Sequence, residues 1–166
     1  MRILLALALA FAMPSDPQHE ALAALAGNWS VEQTLWLAPG QPQHDHGTAS
    51  FDVVLGHHLR QVLRIPGKDK PFEGLGYLGY DNASGRFFST WMDVNFPGLI
   101  LAQGSRDASG TYTFEGSMSD ASKPGATIPV HEVLRIADAD HFTYEYYERR
   151  GGSETLTVRL EYTRTR

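Results

Sequence analysis

Residues 72–93 read Phe-Glu-Gly-Leu-Gly-Tyr-Leu-Gly-Tyr-Asp-Asn-Ala-Ser-Gly-Arg-Phe-Phe-Ser-Thr-Trp-Met-Asp and leave little choice of local structure. Two aromatic-rich segments flank Asp81-Asn82-Ala83-Ser84-Gly85, a cluster of turn formers ending in the residue type that closes a hairpin in a left-handed conformation. Gly74, Gly76 and Gly79 interrupt the first arm. Glycine inside a strand marks a bulge, a bend or a close backbone approach, and a sheet that curves into a barrel needs such places.

The same two-residue period runs through most of the chain. From Trp29 onward, apolar residues alternate in segments separated by Gly, Pro, Asn, Asp and Ser clusters, the pattern of an all-β barrel or sandwich. Trp29, Val31, Gln33, Leu35 and Leu37 fall on one face, as do Phe51, Val53, Leu55 and His57. Residues 59–65 make a further strand. Tyr112, Phe114 and Met118 align, as do Val130, Glu132, Leu134 and Ile136. Phe142, Tyr144, Tyr146 and Glu148 share a face, and so do Leu156, Val158, Leu160, Tyr162 and Arg164. About ten antiparallel strands result, and a sheet of that size closes or splits. Closure is the expectation, with one short helix before it, where Ala21, Leu22, Ala24 and Leu25 recur at helical spacing from Glu20 until Gly27 stops them. The inward set then includes Gln33, His57, Tyr112, Glu132, Tyr144, Tyr146, Glu148 and Tyr162, more polar groups than a solid core accepts. A barrel that encloses a ligand or water accommodates them.

Composition removes several function classes. With 166 residues there is room for one domain and a real core. A net charge of −5 disfavours nucleic acid and anionic membrane surfaces. The absence of cysteine excludes disulfides, thiolate metal sites and a cysteine nucleophile. Residues 1–12 carry Arg2, an apolar run and Ala10-Phe11-Ala12, the layout of an export signal that is too short to span a membrane. Residues 13–19 follow as a leader, and 20–166 form the barrel domain. The expected location is therefore periplasmic or extracellular, or cytoplasmic if translation begins at Met13. Gly74-x-Gly76-x-x-Gly79 spells a dinucleotide fingerprint, but it sits inside a strand with no helix after it, so that reading fails.

Gly27-Asn28-Trp29, after a short helix and opening the first strand, resembles the Gly-x-Trp signature of lipocalin-like (calycin) barrels. The resemblance implies that Trp29 closes one end with Arg164, from the last strand, packed over its ring. A larger set of matches is similar to the bacterial family catalogued as domain of unknown function 1579. It comprises His19-Glu20-x-Leu22-x-x-Leu25-Ala26-Gly27-x-Trp29, Gly47-Thr48-Ala49, Phe72-Glu73-Gly74-x-Gly76-x-x-Gly79-Tyr80-Asp81, Trp91-x-Asp93 and Tyr162-x-Arg164. This resemblance implies a lipocalin-like barrel and no established activity. The segment Leu55-Gly56-His57-His58-Leu59-Arg60 departs from the family pattern by its two histidines.

The chemistry these residues offer is that of a lined cavity. Tyr80, Trp91, Asp93, Tyr144 and Glu148 are the expected lining residues, with His57 as an anchor, and Trp29 and Arg164 close the barrel. His57 and His58 point to opposite faces of a strand, so at most one lines an interior. His44-Asp45-His46 lacks a third ligand at metal spacing, and neither His131 nor His141 is placed by parity to hold haem. No metal site is expected, and the pattern names no cofactor. The expected function is binding or carriage of a small, partly apolar ligand by a monomer or weak homodimer. Two alternatives stand beside it: a cofactor-free isomerase or hydrolase in which Asp93 pairs with Glu148 or Glu132 among tyrosines, and an interaction module with a solid barrel that recognises through loops 39–47 and 120–129.

Overall fold

Among the described residues ten strands follow one short helix, and every strand lies antiparallel to its neighbours in sequence. The structure, a computed structural model, describes residues 16–37 and 41–166, so the expected export signal and the first part of the leader lie outside the described residues. Helix α1 spans Pro17–Ala23. The strands are β1 Gly27–Leu35, β2 Gln43–Val54, β3 His58–Ile65, β4 Phe72–Asp81, β5 Arg86–Asp93, β6 Phe96–Arg106, β7 Tyr112–Ser119, β8 Thr127–Ile136, β9 His141–Arg150 and β10 Ser153–Thr165. β1 also pairs with β10, from Asn28 opposite Thr165 to Leu35 opposite Val158, so the ring closes and no edge is left unpaired. The chain forms the all-β, ten-stranded antiparallel barrel that its alternation predicts.

The helix begins three residues earlier than the apolar spacing indicates. Asp16 caps it, its carboxylate accepting the N–H of Gln18 at 2.8 Å, and Pro17 supplies a preset first helical residue. Leu22 and Leu25 are almost fully buried, and α1 packs against β3 and β4 as a stopper at one end of the barrel. The hairpin between β4 and β5 turns as its residues dictate. The Asp81 carboxylate accepts from the Ala83 N–H at 2.9 Å and the Ser84 hydroxyl at 2.7 Å, and Gly85 takes a φ of +68°. The strand glycines serve close approach rather than bending. A Cβ at Gly74 or Gly76 would overlap the Trp91 ring, and one at Gly79 would overlap Phe88.

Strict alternation fails in two places. Phe51 is buried, but β2 ends at Val54, and Leu55 and Gly56 make a turn with φ of +52° and +78°. Val53, Leu55 and His57 are exposed there, so His57 does not share an inward face with Phe51. The second failure is in β10, where Leu156 pairs with Tyr147 but Val158 pairs with Tyr146. A bulge at this point puts Leu156 on the outer face while Val158, Leu160 and Tyr162 face inward.

The buried residues form one large cluster around Trp29, Phe51, Phe114, Phe142 and Tyr162, and a smaller one of Ile100, Val130 and Tyr146. The large cluster fills the end beside α1. The small one lies towards the other end, which is not filled.

Candidate functional site: the barrel cavity

A cavity of about 580 Å³ enters the barrel from the end opposite α1. Phe51, Phe114, Phe142 and Tyr162 contribute to its lining from the core, and Trp91, Phe96 and Met118 are among its walls. Such a surface, mostly apolar with a few polar groups, is that of a small-molecule site.

Trp91 owes its position to its neighbours. It sits opposite Gly76 in the β4–β5 register, and its ring lies across Gly76 and Gly74, which have no side chains to obstruct it. Its indole N–H donates to Asp93 Oδ2 at 3.0 Å. The other Asp93 oxygen accepts the backbone N–H groups of Asn95 and Phe96 at 2.8 and 3.0 Å, closing the turn into β6. Asp93 therefore lines the cavity as a positioning residue, with both oxygens engaged. Glu148 also lines it, near the mouth, and accepts from Arg150 Nε at 2.6 Å.

The deep polar groups sit lower. Gln61 donates to the Tyr162 hydroxyl at 2.9 Å, and Tyr146 donates to the Met118 sulfur at 3.0 Å. Gln33 and Ser89 are buried and reach the lining. Burial pushes the Tyr162 and Tyr146 phenols above their ordinary range. Tyr144 is pushed well up by burial and then by Glu132, Tyr146 and Tyr162 around it.

Glu132 is the unusual member. It faces inward on β8, opposite Phe114 of β7 and Tyr146 of β9, and is 1% exposed. Neither carboxylate oxygen makes a hydrogen bond of normal geometry. The hydroxyls of Ser89 and Tyr144 are the polar side chains facing it, and they only partly offset the cost of burial, which raises its pKa to about 7. The row that runs from Ser89 through Ala102 of β6 and Gly116 of β7 to Val130, two residues from Glu132 on β8, carries almost no side chain on the intervening strands.

Two of the expected lining residues lie elsewhere. Tyr80 belongs to the filled end, with its ring 4.8 Å from Phe87 and its carbonyl 3.1 Å from His19 Nε2. His57 is outside the barrel, in the turn before β3, where its ring stands 4.3 Å from His58 and 5.8 Å from His19. The barrel-closing pair is in contact. The Arg164 guanidinium lies 4.1 Å from the centre of the Trp29 ring and donates to the carbonyls of Ala24, Ala26 and Ala139 at 2.7–2.9 Å. Gln61, Ser89, Phe96 and Ile100 line the cavity without having been singled out from sequence. Parity within strands 59–65 and 86–93 is the signal that points to the first two. Among the described residues, no group of three or more His, Asp or Glu side chains is placed to hold a metal ion, and no helix is long and apolar enough to cross a membrane.

Comparison with known proteins adds a family and a fold. The profile of the family described as "Protein of unknown function (DUF1579)" matches residues 14–164. No curated protein matches the chain. The crystal structure of Rv2717c from M. tuberculosis is similar, with a TM-score of 0.69 and 20% identity over 91% of this chain and 99% of that one. The S-type phycobiliprotein lyase CPES from Guillardia theta is similar with a TM-score of 0.63 and 12% identity, over 89% of this chain and 92% of that one. At these identities the likeness is one of fold.

Proposed function

The chain belongs to the DUF1579 family, and on that premise we propose that it is an exported binding or carrier protein for a small, partly apolar molecule held inside the barrel. The observation that carries this reading is the cavity of about 580 Å³, whose walls combine aromatic side chains with a few polar groups. The fold shared with a phycobiliprotein lyase supports it as an analogy of architecture. Export rests on residues 1–12 alone.

The alternatives fare less well. An acid–base enzyme built on Asp93 with Glu148 or Glu132 needs carboxylates free to move a proton at the cavity surface, whereas Asp93 and Glu148 accept bonds from Trp91, two backbone N–H groups and Arg150, and Glu132 is 1% exposed and outside the lining. An interaction module with a solid barrel is opposed by the cavity itself. Native mass spectrometry of the protein purified from its own compartment tests the proposal. A co-purifying small molecule that is lost in Trp91→Ala supports it. A bare mass, with no thermal shift across a metabolite panel, overturns it. N-terminal sequencing of the same sample reads export directly, by cleavage after Ala12.

A further inference from the structure

The cavity holds its polar groups in layers, and their sequence has a polarity. Ser89 and Tyr144 reach the lining, and Glu132 lies behind them, faced by their hydroxyls and with no hydrogen bond of normal geometry to either oxygen. An ionised carboxylate only accepts hydrogen bonds, so hydroxyls turned towards it spend their protons on it. Their oxygen lone pairs are then what a ligand meets. The charges at the cavity surface lean the same way. Glu148 is matched by Arg150, and Asp45 and Asp93 outnumber Lys70, the one cation among the described lining residues. A ligand carboxylate has no deep cation to meet, whereas a ligand cation has an unpaired one of opposite sign.

We propose that the ligand carries a basic nitrogen, received by the hydroxyls of Ser89 and Tyr144 with the Glu132 carboxylate behind them as its counter-charge. This rests on the ligand-binding reading and names the ligand class: an apolar body with a protonated amine at its deep end. Unpaired, a carboxylate this deep is costly, and the costs of leaving it so exceed those of supplying a partner. The bound ammonium supplies the partner.

A pH dependence follows. The groups facing Glu132 are Ser89 from β5, Tyr144 and Tyr146 from β9, and the uncharged Phe114 from β7, with His131 its outward-pointing neighbour on β8. The tyrosines remain neutral across the ordinary range, so Glu132 is the deep group that titrates. Acid protonates it and turns it into a donor, which removes the counter-charge.

The test compares decylamine, decanoate and decanol, three molecules with one apolar body and different heads, by calorimetry and Trp91 fluorescence at pH 8.5 and pH 5.5. At pH 8.5 decylammonium is expected to bind at least tenfold more tightly than decanol, and decanoate more weakly than decanol. The preference should shrink at pH 5.5 and vanish in Glu132→Gln. Tyr144→Phe, which keeps the carboxylate, should lose most of the preference and provides a second route if Glu132→Gln folds poorly. Decanoate binding as tightly as the amine, or a preference that survives both variants, overturns the amine assignment while leaving the cavity reading intact. Failure of all three molecules to bind overturns both.

Discussion

The two ends of this barrel are made from the same ten strands and the same alternation, yet they are finished in opposite ways. At the end beside α1, aromatic rings pack on one another: Trp29 meets Phe142 edge-on at 4.7 Å, and Phe142 stacks on Tyr162 at 4.1 Å. The closing pair is fully bonded there, with the Trp29 indole donating to Leu25 and Arg164 donating to three carbonyls. At the open end the ring of Trp91 lies on glycine rather than on another ring, and behind the cavity wall Glu132 makes no hydrogen bond of normal geometry. A filled end, tied together by that pair, holds the ring of strands closed. That rigidity lets the other end keep a void and an unsatisfied carboxylate that would be costly in a uniformly packed core.

The contrast is tested first by its two tryptophans. Trp29→Ala empties the centre of the filled end and should cost about 4 kcal/mol in a urea denaturation curve. Trp91→Ala removes a half-buried ring whose support is backbone, and should cost less than half of that while removing ligand binding. Equal losses would break the comparison.

Glu132 gives the next largest effect, and it appears as a pH dependence. Its folded pKa of about 7 stands above the 4.5 of the unfolded chain, so between those values the folded state holds more of the proton. Stability therefore falls as pH rises through that window, by at most about 3 kcal/mol above pH 7. Glu132→Gln should flatten this slope and be more stable than the parent at pH 8. A slope that persists in the variant would place the titration on another group. Arg164→Ala comes third, with a loss of about 2 kcal/mol for stranded carbonyls and the exposed indole face. Arg164→Lys should recover little of it, because three carbonyls in a fork need a planar donor set.

How much of this was legible depends on whether a feature is local in sequence. The Trp29–Arg164 contact was readable because the Gly-x-Trp resemblance implies it and Arg164 has the inward parity of the last strand, so two residues 135 positions apart could be named as a pair. The β4–β5 turn was readable because Asp81 and Gly85 carry its geometry themselves. Tyr80 has inward parity, but parity says nothing of height along the axis, and α1 closes over that level. The bulge before Val158 inserts one residue with no marker in composition, which is why Leu156 was misassigned. Glu132 was readable as inward, yet its isolation depends on Ser89 from β5 and on small residues in two intervening strands. No window of sequence contains all of those.

The smallest prediction concerns the turn that displaced His57 from the interior. Leu55 holds a φ of +52° and Gly56 one of +78°, the left-handed pair at the centre of a tight turn in which the His57 N–H donates to the Val54 carbonyl at 3.3 Å. Glycine adopts that conformation freely, and asparagine does so at little cost, but leucine pays about 1 kcal/mol for its Cβ. Nothing offsets this strain, because the Leu55 side chain is 82% exposed. Leu55→Asn should therefore raise stability by about 0.5–1 kcal/mol and leave the cavity untouched, since the turn lies at the filled end and outside the barrel. A thermal melt showing no gain would mean that the leucine is covered in solution by something that rewards its exposure here. A change in ligand binding would mean instead that the two ends are coupled, and the division of labour between them would fail.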